Sequence, residues 1–227
     1  MLTDVECYMG TTYNSNISYH DNLIVLEAKV IKLTTCDGIT KTILEDGMLH
    51  SIYEPALVEV DLHKGTIKRE WYLFGKLHRE TVFPEISGYV EDLPARIITT
   101  NNIGKTDIVE EWYMYGEIFR SDDSLPNYVH SKKTSNKGNA IILEKRWYVS
   151  MCPSVSTKID RYYNREEGPC VISCYPDGTL KEECWYLNNM LHRNSGPALL
   201  KYSEQGELKE KGWYHNGKLC AVDENIF

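Results

Sequence analysis

The chain has 227 residues, 42% hydrophobic and 26% charged, with a formal net charge of −8. Its 25 basic residues form no dense run, so the counterion release that drives nucleic-acid binding has no source, and an anionic membrane surface is disfavoured for the same reason. Nowhere do ~18 apolar residues run together, and no basic segment followed by an apolar one opens the chain, so a transmembrane helix and a secretory leader are not expected and the chain reads as unexported.

Residues 1–22 hold Tyr8, Tyr13 and Tyr19 but little periodicity, and read as an irregular N-terminal cap. A repeat array needs such an end, because an unpaired strand edge invites aggregation. Asn16-Ile17-Ser18 matches a glycosylation sequon, which reads as accidental in an unexported chain. Residues 23–227 read as one array of about six β-hairpin units rather than as two domains. In the first, Leu23 to Leu33 leads to a turn at Asp37-Gly38 and a return from Ile39 to Leu44. Ile43 to His50 lines up with Trp185 to His192, which places Ile43 where later units carry tryptophan, 28 residues before Trp71.

In the second unit Ala56, Val58 and Val60 alternate with Leu57, Glu59 and Asp61. The alternation returns at Ala95, Ile97 and Thr99, at Cys170, Ile172 and Cys174, and at Ala198, Leu200 and Tyr202, so one face of each first strand is expected to be buried. The second strand of each unit ends on Trp-Tyr, so Trp71, Trp112, Trp147, Trp185 and Trp213 share one structural position, with Trp and Tyr expected on opposite sides of the sheet. The steps between them are 41, 35, 38 and 28 residues; the shortest is the bare unit and the others carry insertions. Pro55, Pro94, Pro126, Pro169 and Pro197 precede the first strands, where a residue that cannot donate to a ladder is tolerated. Unit four is the most eroded, because Asn127 replaces the small apolar residue.

The insertions fall near 80–93 and 149–161. They spend apolar residues that the repeat does not need, so Phe83, Pro84 and Tyr89 in the first and Met151 and Pro153 in the second are candidate partner-binding residues. The alternative is that both insertions only cover the sheet where the small apolar residues are lost.

The seven cysteines include no Cys-x-x-Cys and read as reduced thiols in a cytosol-like compartment. Cys170 and Cys174 share a strand face but stand roughly 13 Å apart, too far for a disulfide or a shared metal. His50, His78 and His192 hold equivalent positions in different units, roughly 10 Å or more apart, so they cannot converge on a metal and are expected to satisfy turn carbonyls instead. Glu110-Glu111, Glu166-Glu167 and Glu182-Glu183 read as solvated charge, since adjacent strand residues point to opposite faces. No nucleophile elbow, phosphate-binding loop or zinc-protease motif is present, so no catalytic residue, cofactor or metal is expected and the chain reads as a non-enzyme.

The stretch Trp185-Tyr186-Leu187-Asn188-Asn189-Met190-Leu191-His192-Arg193-Asn194-Ser195-Gly196-Pro197-Ala198 resembles the Trp-Tyr-x-Asn-Gly-x-x-His-Arg-x-x-Gly-Pro-Ala unit of MORN-like repeat proteins, a variant common in giant DNA viruses and found in some bacteria. The likeness is specific over Gly168 to Leu219, fair over Ile43 to Arg79 and weak from Glu80 to Lys158. It implies an all-β, elongated single-layer antiparallel sheet of repeated hairpins, without enzymatic activity, that acts as a scaffold or binding surface for protein partners. A minor capsid or virion-associated component, located in the virion or the reducing host cytoplasm and contacting capsid proteins, is the expectation that follows. The alternative is a membrane-tethering or scaffold module for a cellular partner; the oligomeric state is left open. The chain departs from the unit at Leu93-Pro94-Ala95 and Leu125-Pro126-Asn127, and at Phe74-Gly75, Tyr115-Gly116 and Ser150-Met151, which marks the middle as specialised.

Overall fold

The computed structural model describes residues 9–17, 26–34, 39–44, 46–51, 54–79, 92–120, 124–134, 140–150, 161–163, 165 and 168–223. Every regular element among them is a β-strand. The array opens with β1 (Met9–Ile17), β2 (Leu26–Thr34) and β3 (Thr40–Leu44). Long hairpins follow as β4 (Leu57–Asp61) with β5 (Thr66–Glu70), β8 (Arg96–Asn102) with β9 (Lys105–Glu111), β12 (Tyr128–Thr134) with β13 (Ile141–Arg146), and β16 (Val171–Cys174) with β17 (Leu180–Cys184). Short hairpins stand between them: β6 (Tyr72–Leu73) with β7 (Lys76–Leu77), β10 (Tyr113–Met114) with β11 (Glu117–Ile118), β14 (Tyr148–Ser150) with β15 (Arg161–Tyr163), and β18 (Tyr186–Leu187) with β19 (Met190–Leu191). The last unit is β20 (Leu199–Tyr202), β21 (Leu208–His215) and β22 (Lys218–Asp223).

The long strands form one 14-stranded antiparallel sheet in chain order, and the short hairpins lie outside it. At about 4.8 Å per neighbour the sheet is roughly 60 Å long. Residues 9–17, inside the stretch read as an irregular cap, are a strand paired with β2 from Met9↔Thr34 to Ile17↔Leu26, so this part of the stretch belongs to the large sheet.

Trp-Tyr does not continue the second strand in the inner units. The Trp71 N–H donates to Ala95 O of the next unit at 2.9 Å, while its carbonyl accepts from the His78 N–H at 3.0 Å. Its amide thus serves the large sheet and its carbonyl the short hairpin, and the chain changes ladder there. Trp112 and Trp185 repeat both bonds. Only in the last unit does β21 run through Trp213 and Tyr214, where β22 folds back and pairs Trp213↔Ala221 within the large sheet. The same bonds correct the alignment of the worn first unit. Thr42 N–H donates to Ala56 O and Thr42 O accepts from the His50 N–H, so Thr42, not Ile43, holds the tryptophan position, and Ile43 bridges Leu49 as Tyr72 pairs Leu77. The turn after it is one residue longer, which shifted the register read from sequence.

Residues paired across an antiparallel ladder point the same way, so register sorts the side chains into two faces. One carries Glu59, Lys68, Glu70, Arg96, Glu111, Tyr128, Glu144 and Arg146. The other carries Val58, Val60, Ile67, Ile97, Ile108, Val129, Ile142, Ile172 and Leu200. The expected burial of this second face holds only at its first position. Ala56, Ala95 and Ala198 are fully enclosed and Cys170 nearly so, while Val58, Val60, Ile97, Ile172 and Leu200 are half-buried and Ile142 is exposed. Alternation fixes which side is apolar; burying it takes a second layer, and the sheet is single.

Candidate functional site

Four successive joints between units are built from one set of side chains. The guanidinium of Arg79 lies 3.8 Å from the centre of the Trp71 ring, Arg120 3.9 Å from Trp112, Arg165 4.1 Å from Trp147 and Arg193 4.0 Å from Trp185. Each arginine also donates to a proline carbonyl at the start of the next unit: Pro94, Pro126, Pro169 and Pro197. A cation over an indole face is attractive, and the charge-assisted bond to the carbonyl fixes where the next strand begins. The linker explains the glycines. Arg165 and Arg193 stand only four positions before Pro169 and Pro197, and there Gly168 (φ 92°) and Gly196 (φ 131°) pass close to the guanidinium; a Cβ on Gly168 would lie 2.8 Å from Arg165 Nη1. Longer linkers precede Pro94 and Pro126, and leucine serves in place of glycine.

The equivalent histidines do not serve turn carbonyls, as expected from sequence, but accept from turn amides. Nδ1 of His50 takes the Phe74 N–H at 3.3 Å, that of His78 the Tyr115 N–H at 3.2 Å and that of His192 the Asn216 N–H at 3.1 Å. Each donor is the first residue of the next unit's tight turn, in the left-handed region: Phe74 at φ 47°, Tyr115 at 51° and Asn216 at 47°. For Phe and Tyr that backbone is strained. Their rings lie 4.8 Å from His50 and 4.5 Å from His78, which are buried beneath them. With Nδ1 accepting, Nε2 carries the proton, and at His50 and His78 it meets no acceptor among the described residues. Burial holds both imidazoles below their ordinary pKa.

On the polar face the middle units are joined by charge. Arg96 reaches Glu70 at 2.6 Å and Glu111 at 2.8 Å, Tyr113 Oη donates to Glu111 at 3.2 Å, and Tyr72 Oη donates to Glu70 at 3.0 Å. Glu70 and Glu111 are both buried. Burial, reinforced by the Glu70 charge, pushes the Tyr72 phenol up to about 12. Arg146 repeats the theme with Glu144, Tyr148 and Tyr163, whose rings continue a ladder to Tyr186. In the last units Cys184, Leu199 and Gly212 hold the ladder positions of Glu70, Arg96 and Glu111, with Lys201 paired to Glu210 at 2.9 Å further along the strand, and Gly212 is small for a reason: its Cβ would lie 2.7 Å from the Tyr214 ring. Asn127, read as erosion, is also built in. Its buried amide donates to Tyr148 O at 2.6 Å and accepts from the Tyr148 N–H at 2.9 Å, standing in for a peptide group. A shallow depression of about 710 Å³ beside Glu59, Lys68 and Ile98 offers little more, since Lys68 is held by Glu59 at 2.6 Å and Glu70 at 3.3 Å.

The aliphatic face is less closely tied: among its charged groups Glu183 accepts from Tyr202 Oη at 2.7 Å and Glu110 faces the Arg120 charge. Two residues before each tryptophan it carries Arg69, Glu110, Lys145, Glu183 and Lys211, and Arg69, Lys145 and Lys211 make no ion pair among the described residues.

The sequence candidates fall unevenly on this frame. Phe83, Pro84, Tyr89, Met151 and Pro153 lie outside the described residues, as do Cys7, Cys36 and Cys152. Ser150 is not a turn residue, because it pairs with Arg161, and Met151 lies outside the described residues. Trp71, Trp112 and Trp147 are buried, whereas Trp185 and Trp213 are half-buried. Sequence reasoning missed the arginines; the signal was a constant eight-residue step from Trp71 to Arg79, Trp112 to Arg120 and Trp185 to Arg193. No family model, curated protein or solved structure matches the chain.

Proposed function

We propose that this chain is a non-catalytic scaffold of the MORN-like kind that binds protein through the open aliphatic face of its sheet. The observation that carries the reading is that face itself: Val58, Val60, Ile97, Val129, Ile172 and Leu200 stay half-buried in a single layer, interleaved with Arg69, Glu110, Lys145, Glu183 and Lys211, and apolar side chains left partly open among charged ones suit a protein interface. On the opposite face, by contrast, Glu70, Arg96 and Glu111 are engaged with one another across the joint between units. Resemblance to the repeat variant of giant DNA viruses favours a minor capsid or virion-associated role. The test is mass spectrometry of purified particles and of pull-downs with the parent chain and an Ile97→Asp/Val129→Asp variant. Loss of the captured protein with retained fold supports the reading; identical capture by both chains refutes it.

One observation favours membrane tethering as a second reading. Leu62 and Ile103, at neighbouring hairpin tips joined by the Asn101 N–H to Gly65 O bond, are 85% and fully exposed, beside Lys64 and Lys105. Sedimentation with anionic vesicles that Leu62→Ser/Ile103→Ser abolishes supports it, and no sedimentation of the parent chain removes it.

A further inference from the structure

We infer that the protein occupying the aliphatic face is a second copy of this chain, laid face to face about a two-fold axis parallel to the strands at the middle of the sheet. The inference rests on the reading of that face as an interaction surface and adds the identity of its partner.

The argument is one of charge order. At the position two residues before the tryptophan, five successive units carry Arg69, Glu110, Lys145, Glu183 and Lys211, a strict alternation of sign. The corrected register adds the first unit, whose Thr42 stands for tryptophan and whose Thr40 therefore occupies the same row. The row reads neutral, plus, minus, plus, minus, plus. Neighbouring members lie two strands apart, about 10 Å, beyond direct pairing within the chain. Glu183 accepts from Tyr202 Oη at 2.7 Å, and Glu110 is desolvated, with the Arg120 charge offsetting part of that burial. The strands between them present Val58, Ile97, Val129, Ile172 and Leu200, so aliphatic side chains separate the charges.

A rotation about an axis along the strands brings the same face of two copies together, keeps this row opposite itself and reverses the order of units. With the axis between Glu110 and Lys145, which lie on β9 and β13 on either side of β12, Glu110 meets the other copy's Lys145, Arg69 meets its Glu183, and Thr40 meets Lys211. Every charge but the last finds its opposite, giving four ion pairs by symmetry. Only one strand is left uncovered at the end of each copy, because this axis on β12 falls next to the centre of the 14 strands, so the register that satisfies the charges also has near-maximal overlap. Moving the axis by half a unit sets like charges against each other. Five residues of strand by the sheet length gives a face of roughly 1,000 Å², close to the ~800 Å² per partner of a stable interface. Ion pairs of this sort select register more than they add affinity.

The experiment is mass in solution by light scattering and sedimentation for the full chain, Glu110→Lys, Lys145→Glu and the double exchange. A dimer is expected for the parent. Each single change opposes like charges twice per dimer and weakens association by about a hundredfold or more, and the double exchange restores it. A parallel measurement on the unmodified protein uses a zero-length carbodiimide on mixed light and heavy isotopic copies, with Glu110 joined to Lys145 between copies as the expected product. A monomeric parent overturns the inference while leaving capture of another protein by this face open to its own test. A dimer indifferent to single reversals, or one lacking the cross-link, overturns it as well.

Discussion

Removing Arg96 is the sharpest probe of how the middle units are joined. Its side chain is 24% exposed, while the side chains of its partners Glu70 and Glu111 are 2% and 10% exposed, so the variant leaves two carboxylates in a poorly solvated place without their common cation. Breaking a buried pair by deleting one partner costs about 3–5 kcal/mol, because the remaining charge stays desolvated. Lys68, 3.3 Å from Glu70, and the hydroxyls of Tyr72 and Tyr113 offset part of that, which places Arg96→Ala near the lower end of the range. Urea unfolding followed by tryptophan emission measures it, with the midpoint falling at unchanged slope. Replacing the whole triad, as Glu70→Gln/Arg96→Met/Glu111→Gln, removes charge and partner together and is expected to recover most of the loss. If Arg96→Ala stays within about 1 kcal/mol of the parent, the network is a surface ornament and the burial argument fails.

Three further outcomes follow from the joints. His50 and His78 have folded pKa values depressed by burial, so the stability they carry is present above their ordinary 6.5 and is lost as pH falls through the lower folded values; protonation also takes Nδ1 from its acceptor role. Melting temperature is expected to drop as pH falls below about 6.5, and His50→Phe/His78→Phe, which copies the residue that Phe119 supplies in the equivalent place, to flatten that drop. Asn127→Ala leaves the Tyr148 N–H and carbonyl without their partner and is expected to cost about 1–3 kcal/mol in the same urea assay. Trp71→Ala is expected to cost about 3–5 kcal/mol and Trp213→Ala distinctly less, since the first indole is buried under Arg79 and the second is half-buried in the last unit; equal losses would contradict the joint.

What the sequence displayed and what it concealed have a common cause. Tryptophan is rare and the joint uses it, so its spacing exposes the repeat, and the Asn216-Gly217 and Phe74-Gly75 turns are legible because their backbone demands φ above zero. Arginine is common and looks like solvent charge. Its constant step from tryptophan is broken at Arg165, where the insertion stretches eight residues to eighteen. Alternating apolar residues read the same whether a second layer covers them or not, so Val58 and Ile97 were expected inside and are found at an open face. The first unit was misregistered because threonine carries no aromatic signature and the following turn gained a residue. The row at Arg69 was visible as charges on a strand, but its meaning depends on which face each occupies, and that is settled only by pairing.

The ionic joints and the insertions occur in the same stretch of chain. Closing a longer linker costs about 0.6 kcal/mol for each doubling, so the fifteen residues from Arg79 to Pro94, against four from Arg193 to Pro197, cost roughly 1 kcal/mol more. A larger consequence is loss of guidance, since a short linker permits one entry angle and a long one permits many. Apolar contacts such as Cys184 against Leu199 are indifferent to small slips, which is sufficient where glycine and a four-residue link already dictate the path. Between Glu70, Arg96 and Glu111 a slip of one residue would turn the guanidinium to the opposite face and strand both carboxylates. Charge-assisted hydrogen bonds are therefore placed where the chain itself no longer specifies register, and the Asn127 amide does the same for the unit whose link to its neighbour also carries added length.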